Sequence, residues 1–140
     1  MKYGEALLAP TLLYSPVTEA LAAAGIVPHY SANVTGHGWR KLMRHPKALT
    51  YRITALPPKT AVLDFMQREC GLDDHEAYGT LNMGAGFALY LHAADAPKAV
   101  EIAQGLGIPA LIAGHIEQGN KRVIIEPLGV EFGGDELQLR

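Results

Sequence analysis

Three short stretches hold the residue types that could do chemistry. The first runs Asn33-Val34-Thr35-Gly36-His37-Gly38-Trp39-Arg40, a strand end followed by a glycine turn and the start of a helix. Glycine lets backbone approach a ligand closely and turns N–H groups toward an anion. Thr35 adds a hydroxyl, the helix start a partial positive charge, and Arg40 or Lys41 a full one. This set suits a phosphate or a ribonucleotide, and His37, between two glycines, could hold an anion or shuttle a proton. The same spacing also serves a plain strand-to-helix turn that needs glycine for its dihedral angles.

The second stretch is Glu76-Ala77-Tyr78-Gly79-Thr80-Leu81-Asn82-Met83-Gly84-Ala85-Gly86. It joins a short acidic helix to the most apolar run in the chain. Thr80 and Asn82 must find polar partners if buried, in a ligand or in the closing of the loop itself. The third, Gly4-Glu5-Ala6-Leu7-Leu8-Ala9-Pro10-Thr11, offers one carboxylate, Glu5, which at a domain edge is ordinarily an exposed charge. The six histidines are scattered, without HExxH spacing or a cysteine pair, so no metal site is expected. Cys70 falls on an apolar helix face and reads as a packing residue rather than a nucleophile. No nucleophile elbow, Walker-type loop or catalytic triad signature is present, and no catalytic residue is assigned.

The elements that must position these stretches follow from periodicity and punctuation. Ser15-Pro16 opens a helix through Val17, Ala20, Leu21 and Ala24 that Gly25 ends. Residues 27–34 are extended, and Trp39 to Met43 form one or two helical turns before His45-Pro46. Leu49, Tyr51, Ile53 and Ala55 alternate with polar residues as in a half-buried strand. A helix then carries Ala61, Val62, Phe65, Met66 and Cys70 on one face. Asp73 or Asp74 caps a short helix through Tyr78. Residues 85–92 read as a buried central strand. Asp95 and Pro97 open a helix that Gly107 ends. Residues 110–117 and 122–126 read as two strands joined by a hairpin at Gln118-Gly119-Asn120, and residues 129–139 as an edge strand or hairpin. The order predicts an α/β, or α+β, sandwich: a mixed sheet packed by helices, with a ferredoxin-like core.

With 140 residues, 49% of them hydrophobic and 19% charged, the chain can bury a core without metals or disulfides. A net charge of −2, with both signs read as interspersed, argues against nucleic-acid binding. One cysteine suits a reducing cytoplasm. The first ten residues are unlike a secretory signal, and no apolar run reaches the roughly 20 residues that span a bilayer.

The three stretches together resemble the C-terminal domain of the AIR synthase (phosphoribosylformylglycinamidine cyclo-ligase) family. Its GE-x-LL-x-PT segment is matched at Gly4 to Thr11, its E-x-Y-x-T-x-NMG-x-G segment at Glu76 to Gly86, and its HITGGG turn in part at Asn33 to Gly38. The chain departs from the pattern in four places. Asn33 replaces a histidine, His37 a glycine and Leu12 an arginine, and Trp39 to Arg44 stand where Asn-Ile-Pro-Arg often follows. The V-T-G-x-G form also resembles selenophosphate synthetase. The resemblance implies that residues 1–140 are one substrate-side domain, without the N-terminal ATP-binding domain that carries ATP and magnesium, and that neither is bound by this domain alone. It implies a ribonucleotide substrate, a homodimer, and cleft-facing Asn33, Thr35, Gly36, Gly38, Thr80, Asn82 and Gly84; His37 and Arg40 are this sequence's own additions. The alternatives are a domain of a related synthetase of the selenophosphate-, thiamine-phosphate- or hydrogenase-maturation type, or a phosphate-binding or regulatory module without catalysis.

Overall fold

A computed structural model describes residues 2–137. In chain order the elements are α1 (Tyr3–Leu7), α2 (Ser15–Ala23), β1 (Tyr30–Asn33), a 3-10 helix (Gly38–Met43), β2 (Leu49–Ile53), α3 (Ala61–Glu69), α4 (Asp74–Thr80), β3 (Phe87–Tyr90), α5 (Ala96–Gly105), β4 (Gly114–Gln118) and β5 (Arg122–Ile125). A 3-10 turn at Glu126–Leu128, β6 (Val130–Gly133) and a second 3-10 turn at Gly134–Glu136 complete the described chain. It divides into two compact units, Met1–Ser31 with Leu89–Ile112, and Ala32–Ala88 with Ala113–Arg140.

The first unit is built on α2 and α5. Each carries proline in its first turn and ends the same way. Gly25 (φ 75°) and Gly107 (φ 76°) take the left-handed conformation. The next residue's N–H then reaches back to the carbonyl five positions earlier, Ile26 to Leu21 at 2.9 Å and Ile108 to Ala103 at 3.0 Å. This satisfies carbonyls that the helix end would leave open and turns Ile26 and Ile108 inward. They join Val17, Leu21, Ala99 and Ala103 in one cluster with Leu89, Leu91 and Ile102 around it. Complete burial of Leu21 is worth about 2 kcal/mol.

The second unit holds a four-stranded sheet in the order β4-β2-β5-β6. β2 runs antiparallel to β4 and parallel to β5, and β5 is antiparallel to β6. Alternation sends Tyr51, Ile53, Val123, Ile125, Val130 and Phe132 to one face, all buried. The other buried apolar residues of this unit are Ala32 and Val34, Trp39, Leu42 and Met43 of the 3-10 helix, Ala77 and Tyr78 of α4, and Met83. The opposite face carries Arg52, His115, Glu117, Arg122 and Glu131, where Arg52 Nε and Nη1 donate to Glu117 at 2.7 Å and Glu126 at 2.8 Å.

Four sequence expectations are corrected here. The stretch 118–120 is not a hairpin, because β2 lies between β4 and β5. Instead the turn passes over the start of β2, where buried Thr50 donates its hydroxyl to the Asn120 carbonyl at 2.9 Å. Residues 85–92 are not a buried central strand; only Phe87–Tyr90 are strand, half-buried and paired with β1 in a two-stranded sheet. β3, α5, β4 and β5 therefore do not share one sheet as the ferredoxin-like reading supposes. The apolar stripe of α3 is not buried, and Cys70 is exposed. Amphipathic spacing specifies a face that favours cover, not that the chain supplies the cover. The mixed α and β content stands as expected, and the tail does form an edge strand, β6. Its last expected residues, 138 and 139, lie outside the described residues.

Candidate functional site

The first two chemistry-bearing stretches meet in the second unit. Gly38 (φ 52°) sits so close to the end of α4 that a Cβ there would collide with the Tyr78 carbonyl and would lie 2.8 Å from the Thr80 nitrogen. Three side-chain bonds complete the joint. Trp39 Nε1 donates to the Asn82 carbonyl at 2.8 Å, and Arg40 donates through Nε to Gly79 O and through Nη1 to Glu136 O, both at 2.9 Å. The Val34 N–H bonds the Gly86 carbonyl at 3.0 Å. The Trp39 and Tyr78 rings meet edge-on, with centroids 5.1 Å apart.

The local sequence explains each support. α4 begins with a reciprocal cap: Asp73 accepts from the Glu76 N–H at 2.8 Å, and Glu76 accepts from the Asp73 N–H at 3.0 Å. Glu76 thus holds the helix start through its backbone N–H and one carboxylate oxygen. After α4, the Asn82 side chain accepts from the Gly84 N–H at 3.1 Å, closing a tight turn. Met83 at its centre has φ 46°, rare for a side chain of that size, and is held there by complete burial. Gly84 (φ 97°) lies against the Pro58 carbonyl, where a Cβ would come within 2.5 Å. The Tyr78 hydroxyl is pushed above its ordinary pKa by burial first and by Asp74 second.

The expected site residues therefore divide. Asn33, Thr35, Gly36, His37 and Thr80 are exposed, and nothing lies within 4 Å of where a Gly36 Cβ would stand. Gly38, Arg40, Asn82 and Gly84 are at least partly buried and make the contacts that hold the two stretches together. One residue that the sequence reading passed over, Trp39, couples the stretches through its indole N–H. The only sequence signal for it was adjacency to the glycine turn. Lys41, offered by the sequence as the alternative cation to Arg40, donates its ammonium to the Thr35 hydroxyl. Glu5, in the third stretch, accepts from the Lys2 N–H at 2.9 Å as a helix cap. Among the described residues no group of three or more His, Cys, Asp or Glu is placed to hold a metal ion, and no helix is long and apolar enough to cross a membrane.

Comparison with known proteins finds a likeness across most of the chain. Over 137 residues the chain is 38% identical to a protein of Methanococcus maripaludis strain S2, covering 95% of the chain and 39% of that protein. Its relatives are phosphoribosylformylglycinamidine cyclo-ligases. A second cyclo-ligase, from Methanocaldococcus jannaschii, is 36% identical over 113 residues, 80% of the chain and 32% of the relative. The cyclo-ligase of Methanosarcina mazei is 38% identical over 120 residues, 86% and 34%. The chain is thus homologous to one part of these cyclo-ligases and spans about two fifths of their length or less. No protein-family model matches it.

Proposed function

We propose that the chain is the substrate-side, C-terminal part of an ATP-dependent cyclo-ligase of the AIR synthase type, with the fold of that family's C-terminal domain. The reaction would close the imidazole ring of aminoimidazole ribonucleotide from formylglycinamidine ribonucleotide, with ATP converted to ADP and phosphate. ATP supplies activation of the formyl oxygen in such chemistry. The described residues offer no carboxylate set for magnesium, and no step is assigned to the metal here. ATP binding falls to a further domain, in the same or a separate chain.

The observation that carries this reading is the joint between the glycine turn and the end of α4. The stretch from Glu76 to Gly86 matches the cyclo-ligase pattern and the glycine turn matches it in part, and the two are held together by Gly38, Trp39 and Arg40. Thr35, the Gly36 backbone, His37, Asn33 and Thr80 form the ligand-facing group. Gly38, Arg40, Asn82 and Gly84 act as positioning residues, since ring closure depends on holding reacting atoms in place. The test is a chimera in which this chain replaces the corresponding part of the Methanococcus maripaludis enzyme. Ring closure with ADP release is expected, lowered at least tenfold in kcat/KM by Thr35→Val. A folded chimera that binds the ribonucleotide but never turns over would favour the non-catalytic module instead.

A further inference from the structure

Six of the 12 Lys and Arg residues, Arg40, Lys41, Arg44, Lys47, Arg52 and Lys59, lie between Glu19 and Asp64 with no acidic residue among them. The two signs are therefore less evenly mixed than the composition suggests. The fold neutralises two of the six: Arg52 pairs with Glu117 and Glu126, and Lys59 stands 3.9 Å from Asp74. Arg40 is taken up by backbone carbonyls. Lys41, Arg44 and Lys47 have no carboxylate partner among the described residues.

The helix that carries them sets their direction. In a 3-10 helix residues three apart stand one above the other, about 6 Å apart along the axis. Trp39, Leu42 and Met43 fill the buried sides. Lys41 and Arg44 therefore share an outer edge. Arg44 continues the same geometry, with its N–H on the Lys41 carbonyl at 3.2 Å. The Lys41 ammonium donates to the Thr35 hydroxyl, which fixes its position and leaves two of its three donors for a ligand. Lys121 braces the far end by donating to the His45 carbonyl at 2.9 Å.

We propose that Lys41 and Arg44, with the Thr35 hydroxyl, form the receptor for the phosphate group of a small phosphorylated ligand, and that Lys47 extends the positive field beyond it. A guanidinium and an ammonium on one edge, free of internal carboxylates, match a phosphomonoester dianion. The assignment rests on the ribonucleotide reading above and deepens it by naming the ligand's phosphate end. It also moves the anion-binding role from Arg40 to Lys41 and Arg44.

The test is NMR titration of the whole chain with ribose 5-phosphate, with unphosphorylated ribose as control. Amide shifts confined to residues 35–47, given by the phosphate ester and absent with ribose, are expected. Lys41→Gln and Arg44→Gln should each weaken binding about tenfold, with Lys41→Arg recovering part of the loss. Lys98→Gln, on α5, should leave binding unchanged. Shifts elsewhere, or an unchanged dissociation constant in the double variant, would overturn the assignment. So would a short single-stranded RNA that displaces ribose 5-phosphate at far lower concentration, since the edge would then serve a polyanion. The chimera separates this proposal from the one beneath it. Ribose 5-phosphate binding without turnover leaves the phosphate receptor standing and removes the cyclo-ligase. Turnover with KM unmoved by Lys41→Gln and Arg44→Gln does the reverse.

Discussion

Gly36 and Gly38 are two residues apart and face opposite demands. Gly38 needs both its left-handed backbone and its lack of a Cβ, since α4 occupies the space. Gly38→Ala should cost about 2–4 kcal/mol from dihedral strain and overpacking together, read from the urea midpoint. Gly36 has neither constraint, so Gly36→Ala should fall within about 0.5 kcal/mol of the parent while narrowing the ligand-facing turn. Trp39→Phe would keep an aromatic ring, remove the donor to Asn82 O and leave a cavity where the larger indole was buried. That carbonyl still accepts from the Ala85 N–H at 2.9 Å, so the cavity should dominate a loss of about 1–3 kcal/mol. At this scale the sequence picked out two stretches that the fold packs together, but not the contacts each residue makes inside them. Glycine in a turn reads alike whether it stands in open solvent, as Gly36 does, or against a neighbouring helix, as Gly38 does. Trp39 has no signature beyond its neighbours.

Among the elements, those with local determinants were legible. α2 and α5 announce themselves by proline at the start, an apolar stripe and glycine at the end, and Asp73 caps α4 as its position suggests. The partner of a strand is a long-range fact. The Gln118-Gly119-Asn120 turn has hairpin composition, yet β2, more than 60 residues earlier, occupies the place between the two strands. Thr50 is the residue that accommodates this crossing. Thr50→Val should cost about 1 kcal/mol by leaving the Asn120 carbonyl without its donor. The polar face of the same sheet gives a pH dependence. Hydrogen bonds from Arg52 first, and His115 second, hold the Glu117 carboxyl down to about 2. Its folded pKa lies below the ordinary carboxylate value, so the unfolded chain takes up the proton first as pH falls. This stabilisation is complete above the ordinary carboxylate range and is lost as pH falls toward 2. Thermal melts between about pH 6 and about pH 3 should fall less steeply for Glu117→Gln than for the parent.

At the scale of the whole molecule, the chain leaves much apolar surface in water. In the first unit Leu8 is 82% exposed, Leu13 73% and Val27 75%, and in the second Phe65 on α3 is 40% exposed. A modest apolar patch is what a substrate-side part would present to the domain its relatives carry in addition. Sedimentation velocity of the chain alone should show concentration-dependent self-association, reduced by Leu8→Gln with Leu13→Gln. A monomer at all concentrations would count against both the homodimer and the proposed partner domain. The family resemblance was readable because it depends on local words in fixed order. The division into two compact units was not, because it is set by which distant segments pack together.

The placement of β2 between β4 and β5 also governs when the fold can form. Neither neighbour of β2 exists until the ribosome has passed residue 113, and the bonds that hold it span 65 and 70 positions. Until then Tyr51 and Ile53 have no sheet to enter, and the nascent chain must carry them unpaired while the whole stretch between β2 and β4 is made. Among these strands only β5 and β6 can pair as sequence neighbours; β2 has no such local partner. Formation of the sheet should therefore come after that of the local helices and be slow beside it, in the range of about milliseconds to seconds.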